Sequence, residues 1–216
     1  MLDERGIAYD ARDAKDMDIT DRQAVEKQVT ALKPAVIYHC AAYTAVDSAE
    51  DEGKEINWRV NEDGTRNLAE VAVKVGAKLV YLSTDYVFDG TKTGEYEVGD
   101  PTNPKNEYGK AKLAGEKAIQ ATMTDYYIIR TSWVFGEYGV YQLSNEDSCS
   151  WYEFACEILK DKDVEVVPVT SEEYPQKAYR PRHSIMSLKK AEATGFTIPT
   201  WQNALQEFMN QIQDNY

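Results

Sequence analysis

Between residues 78 and 130 the hydrophobic pattern changes period twice, and that alternation restricts the fold more than any other feature of the sequence. Leu79, Val80 and Leu82 form a short apolar run ending in polar Ser83-Thr84-Asp85, the pattern of a buried strand. A polar loop with Pro101 and Pro104 follows, and then EYGKAKLAGEK from residue 107, where Ala, Lys, Leu and Glu favour a helix. Residues 126–130 return to an apolar strand. Strand, helix and strand at this spacing mean an α/β fold with a parallel sheet.

The flanking segments extend the pattern. Residues 1–6 read as the last turn of a helix stopped by Gly6, and residues 7–10 as a short strand. After a polar loop, Thr20 caps a helix over 21–32 whose Ala24, Val25 and Val29 share one face, and Pro34 ends it. Residues 35–39 form a strand apolar enough to be covered on both faces. A long helix over 55–75 ends at Gly76. Past residue 139 come a strand-like Val140-Tyr-Gln-Leu143, a helix over 150–160, a strand over 164–169 and an amphipathic helix over 201–213. The change of texture divides the chain into a core, residues 1–139, and a C-terminal part, residues 140–216.

Bulk properties remove several function classes. The formal charge of −13 comes from 37 acidic and 24 basic residues without a basic stripe, which argues against nucleic acid or an anionic membrane as partner. Cys40, Cys149 and Cys156 are odd in number and only two histidines occur, so neither a disulfide framework nor a metal site is expected. That cysteine usage suits a reducing cytoplasm. Cys40 reads as a small buried residue, and Glu50-Asp51-Glu52 as a solvated face. No apolar run approaches the roughly 18 residues of a membrane-spanning helix.

Tyr108 and Lys112 stand four residues apart and share one helical face. Tyrosine at its ordinary pKa of about 10 is a poor acid at neutral pH, and a fixed cation beside it lowers that value. With a hydroxyl from Ser83 or Thr84 reaching the same spot, the group suits proton donation to a carbonyl oxygen. The pair alone carries no weight: with 15 tyrosines and 16 lysines in 216 residues, chance supplies about one such spacing.

Its surroundings carry the weight. STDYVFDG from Ser83, YGKAKLAGE from Tyr108, HCAAYTAVD from His39, RTSWVFG from Arg130, and Arg180-Pro181 with Ser184 together resemble the extended short-chain dehydrogenase/reductases. Within them the chain is most similar to the dTDP-4-dehydrorhamnose reductases. The resemblance implies a Rossmann-type doubly wound parallel sheet with a smaller C-terminal substrate-binding part. It implies NADPH or NADH as cofactor and a dTDP-sugar as substrate, and it leaves room for a homodimer. By the same resemblance Tyr108 is the proton donor, Lys112 lowers its pKa and holds the nicotinamide ribose, and Thr84 binds the substrate carbonyl. Asp85 and Trp133 are placed at the substrate sugar, although a bare tryptophan is more often core. Ala41, Ala42, Tyr43, Thr44 and Leu82 border the cofactor. Asp10 stands where an acid binds the adenosine ribose, while Arg12 suits a 2′-phosphate, so cofactor preference stays open. Asp18 and Ile19 match an adenine contact. His39 and His183 receive no role.

Two departures stand out. No glycine-rich turn of the G-x-x-G-x-x-G kind occurs in the sequence, and near Gly139-Val140 several tens of residues typical of the family have no counterpart. The working polypeptide is therefore expected to be longer, with a further strand lying between residues 7–10 and 78–82. Loss of the glycine-rich turn would also fit a catalytically silent binding subunit, and an epimerase or dehydratase shares the superfamily. Asp85 is followed by Tyr86, not by the Glu common in dehydratases, and intact Tyr108, Lys112 and Thr84 favour a reductase.

Overall fold

The structure, a computed structural model, describes residues 6–131 and 139–213. The expected helical turn before Gly6 lies outside the described residues, as does Trp133. Among the described residues seven α-helices and four strands follow in chain order: α1 (Arg22–Leu32), β1 (Val36–His39), α2 (Lys54–Trp58), α3 (Thr65–Val75), β2 (Lys78–Thr84), α4 (Glu107–Thr122), β3 (Tyr126–Thr131), β4 (Gly139–Leu143), α5 (Trp151–Leu159), α6 (Lys189–Glu192) and α7 (Trp201–Gln213), with one π-helical stretch, Arg59–Gly64, joining α2 to α3. The strands form one parallel sheet in the order β1-β2-β3-β4. The α/β class and the parallel sheet agree with the sequence.

The core follows from strand alternation. Leu79 and Tyr81 of β2 and Ile128 of β3 face one side, where Ala69 and Ala72 of α3 and Ile119 of α4 cover them. Val25 and Val29 of α1 pack behind, against Leu68 and Val71 of α3. Ile129, on the opposite side, is covered by Ala191 of α6 and by Ile198, with Val80, Leu82 and Leu188 at the margin. Successive connections in one direction therefore put α3 and α4 on a common face, as right-handed crossovers require. The C-terminal part supplies the second layer, and β4 extends the sheet itself.

Several expectations change. Residues 7–10 are irregular, with Ile7 and Tyr9 exposed, because no described strand offers them a ladder. Residues 164–169 are also irregular: Val164, Val167 and Val169 lie exposed, so their apolar alternation finds neither a pairing edge nor a cover. Asp21, not Thr20, caps α1, its carboxylate accepting from the amides of Gln23 and Ala24. The helix expected over 55–75 starts at Lys54 and is widened by the π-helical stretch. β1 is an edge strand, buried on one face only. Tyr38 is 65% exposed, and Cys40, two residues on along the same face, is exposed instead of buried. The strand expected between residues 7–10 and 78–82 has no room on that side of β2, because β1 pairs with it directly, Val36 opposite Lys78 through His39 opposite Tyr81.

Candidate active site

β2 ends in Ser83 and Thr84, whose side chains point to opposite faces. Ser83 turns toward α4 and donates to Glu116 Oε1 at 2.5 Å. Thr84 turns the other way, and its hydroxyl donates to Asp85 Oδ1 at 3.1 Å while accepting from the Tyr86 amide at 3.2 Å. The choice between the two hydroxyls is thus made by the pleat: Thr84 is the one that acts on the Tyr108 phenol, favouring its ionised form.

Tyr108 stands in the first turn of α4, and that turn is tied down from several sides. Asn106 caps it, accepting from the Gly109 amide at 2.6 Å and donating to the Tyr179 carbonyl at 2.8 Å. Asn57 of α2 donates to the Glu107 carbonyl at 3.0 Å, and Trp58 Nε1 to the Glu107 carboxylate at 3.0 Å. Gly109 has to be small, since a Cβ there would come within 2.3 Å of the Tyr86 carbonyl. The helix start and the turn after β2 therefore approach backbone to backbone. Tyr86 meets the Tyr108 ring edge-on at 6.1 Å.

The charges are set by burial. Tyr108 is pushed up to about 12, chiefly by desolvation, with the Thr84 hydrogen bond opposing. The expected lowering by a neighbouring cation is not what this arrangement produces. Lys112 is 1% exposed, and its ammonium donates to the Leu82 carbonyl at 2.5 Å. Burial pushes it down to about 7, against the pull of Glu116 and Cys40. Asp85 is raised by burial, with Ser184 and Thr84 opposing, and it accepts from the Thr84 hydroxyl at 3.1 Å. Ser184 carries the C-terminal part into the site. Nearby, Arg180 Nη2 reaches Asp47 Oδ2 at 2.9 Å, and its guanidinium lies over the Tyr86 ring at 5.7 Å.

A family model described as the RmlD substrate binding domain matches residues 1–140 and 137–214. The chain belongs to that family. It is 31% identical over 258 residues to the spore coat polysaccharide biosynthesis protein SpsK of Bacillus subtilis, covering 97% of this chain and 91% of the relative. That alignment is longer than the 216 residues here, so the relative carries residues without a counterpart in this chain. Among solved structures, a dTDP-4-dehydrorhamnose reductase of Clostridium acetobutylicum superposes with a TM-score of 0.92 at 32% identity, covering 98% of this chain and 93% of that one. A dTDP-4-dehydrorhamnose reductase of Bacillus anthracis in complex with NADP gives 0.90 at 32% identity, with 96% and 92% covered.

On this RmlD-family chain, the residues expected to border a cofactor fall into two groups. Ala41, Ala42, Tyr43 and Thr44 follow β1 directly, one strand away from Leu82. The Tyr43 peptide is gripped at both ends by one side chain, Asn61, which accepts from its amide at 3.2 Å and donates to its carbonyl at 3.0 Å. Asn61 is fully buried in the π-helical stretch. The π-helical stretch is what turns Asn61 toward the segment after β1, but an asparagine inside a helical pattern gave no advance signal.

The second group is Asp10, Arg12, Asp18 and Ile19. Arg12 forks onto the Asp10 carboxylate, with Nη2 to Oδ2 at 3.0 Å, and Nη1 reaches Gln28 at 3.3 Å. The two residues that pulled toward different cofactors are thus paired with each other. Asp18 accepts from the Thr20 amide at 2.8 Å, and Ile19 is buried against α1 and α3.

His39, left without a role from sequence, is buried beneath the site. Its Nε2 meets Thr65 Oγ1 at 2.9 Å, and its ring tilts against Tyr81 at 5.1 Å. Burial, reinforced by the Lys112 charge, pushes it down to about 3. An unfolded histidine takes up a proton near pH 6.5, whereas this one stays neutral to about 3, so stability is full above 6.5 and lost as pH falls. The slope is about 1.4 kcal/mol per pH unit, or about 2 kcal/mol at pH 5. His39→Gln should therefore shrink the difference in melting temperature between pH 7 and pH 5. An unchanged difference would mean that the ring is not held neutral.

Proposed function

We propose that the chain reduces the C4 ketone of dTDP-4-dehydro-L-rhamnose to dTDP-L-rhamnose with NADPH or NADH. The observation that carries the reading is Thr84 at the end of a parallel strand acting on the Tyr108 phenol, with the Lys112 ammonium buried one helical turn along from Tyr108 and bonded to the Leu82 carbonyl. Near full-length similarity to dTDP-4-dehydrorhamnose reductases supports it.

The residues present fit the nicotinamide end of a dinucleotide. Lys112 spends one donor on Leu82 and has two left for ribose hydroxyls, and Ala41 and Ala42 leave the adjoining strand end open to close approach. No glycine-rich turn for the pyrophosphate occurs within these 216 residues. A bound nicotinamide would supply the hydride. Thr84 and Tyr108 would direct their hydroxyls at the C4 oxygen, stabilising the charge that develops there. A phenol at about 12 keeps its proton at neutral pH until that oxygen becomes the stronger base. Asp85, held by Thr84, and Trp133 would line the sugar side. The reaction of a nucleotide sugar, together with free Cys40, Cys149 and Cys156, accords with a cytoplasmic setting.

The assay is oxidation of NADPH or NADH followed by absorbance, with dTDP-4-dehydro-L-rhamnose supplied. Turnover that requires the sugar supports the reading, and absence of turnover with either cofactor would end it. Cofactor choice has its own test. Arg12→Ala frees the Asp10 carboxylate to repel a 2′-phosphate, so the KM for NADPH should rise roughly tenfold while that for NADH stays put. Equal effects on both would mean that the Asp10–Arg12 pair faces away from the adenosine.

A further inference from the structure

We infer that Tyr81 is a positioning residue for Lys112: its ring face, fixed by His39, Asn61 and Gly115, seats the ammonium beside the Leu82 carbonyl. The inference rests on the reductase reading for its kinetic consequence, and on geometry alone for the contact. Lys112 Nζ lies 4.1 Å from the centroid of the Tyr81 ring and 2.5 Å from the Leu82 carbonyl oxygen. Two consecutive residues of β2 thus supply both anchors, one by its side chain and the next by its backbone. The side chain is 1% exposed, so the ammonium has left bulk water for one hydrogen bond and an aromatic face. The ring quadrupole attracts a cation most strongly when both are desolvated, as here.

Tyr81 is itself immobilised. Its hydroxyl donates toward the carbonyls of Asn61 and of Lys112, each at 3.4 Å. His39, whose Nε2 meets the Thr65 hydroxyl, packs against the ring at 5.1 Å. Gly115 completes the seat: a Cβ there would come within 2.7 Å of the Tyr81 hydroxyl. A ring held from β1, α3, α4 and the π-helical stretch cannot turn away, so the ammonium resting on it has one position. Without the ring, Lys112 keeps a single hydrogen bond beside a cavity. Its grip on the ribose should loosen while the sugar subsite is left alone.

Steady-state kinetics on the full chain separate this from a packing role. Tyr81→Phe keeps the ring and should stay near wild type. Tyr81→Leu should raise the KM for NADPH by about tenfold with the KM for the dTDP-sugar unchanged. Leu and Phe variants that behave alike would overturn the inference, as would a loss of turnover that only follows the folded fraction. A melting cycle tests the contact without any activity. Tyr81→Leu, Lys112→Met and the double variant are compared with wild type in the absence of cofactor. The double variant should lose clearly less in melting temperature than the two single losses combined. Additive losses would show that ring and ammonium are not coupled. A wild type without turnover would sink the reductase reading, while the melting cycle would still decide this one.

Discussion

Tyr108→Phe is expected to cut turnover by roughly 10²–10⁴-fold, the range for losing a general acid, with NADPH affinity nearly unchanged. The variant is a clean one here. It removes only the hydroxyl beside Thr84 and keeps the ring that Tyr86 packs against edge-on at 6.1 Å. The first turn of α4 stays anchored by Asn106, Asn57 and Trp58, which bond Gly109 and Glu107 and not the phenol oxygen. Retention of most of the turnover would remove Tyr108 from the mechanism and leave the pair with Thr84 as a structural contact. Loss of NADPH binding together with turnover would point to a collapsed site instead.

Glu116→Ala is expected to destabilise the fold by about 3–5 kcal/mol, because it strands a buried arginine. Arg130 and Glu116 are both nearly inaccessible, at 6% and 1% of side-chain exposure. The carboxylate takes Arg130 Nη2 at 2.7 Å, Arg130 Nε at 3.0 Å and Ser83 Oγ at 2.5 Å. Arg130 Nη1 donates to the Val98 carbonyl at 3.2 Å, and the guanidinium lies over the Phe88 ring at 5.3 Å. One cluster thus joins α4 to β2 and β3, one residue short of Thr84 and one helical turn beyond Lys112. For a chain of this size the loss corresponds to a fall in melting temperature of roughly 6–20 °C. Replacing both partners by apolar residues, as in Glu116→Leu with Arg130→Met, should recover much of it. A single variant that melts like wild type would show that the cluster is not desolvated.

The local elements were readable because their causes are local. Residues 107–122 form the helix that Ala, Lys, Leu and Glu predict. Ser150 and Glu153 form a capping box that starts α5, and Gly76 stops α3 in a left-handed conformation with φ 73°. Non-local elements were readable only in part. Residues 7–10 and 164–169 have the same apolar texture as β1, yet only β1 finds a partner in β2. A strand is a relation between two segments, and the alternation of one of them does not report the other.

The candidate site divides along the same line. Sequence alone determined that Tyr108 and Lys112 share a helix and that this helix follows a strand ending in Ser83 and Thr84, since spacing and propensity are properties of short segments. Tertiary structure decided what each group does there. The pleat sent Ser83 to Glu116 and left Thr84 for Tyr108. Packing buried the phenol and raised its pKa to about 12, where the four-residue spacing to a lysine had suggested a lower one. The Lys112 ammonium went to the Leu82 carbonyl and the Tyr81 ring, Arg12 to Asp10, and Asn61 to the Tyr43 peptide. Desolvation and hydrogen-bond partnership depend on every group within a few ångströms, and those neighbours come from distant parts of the chain.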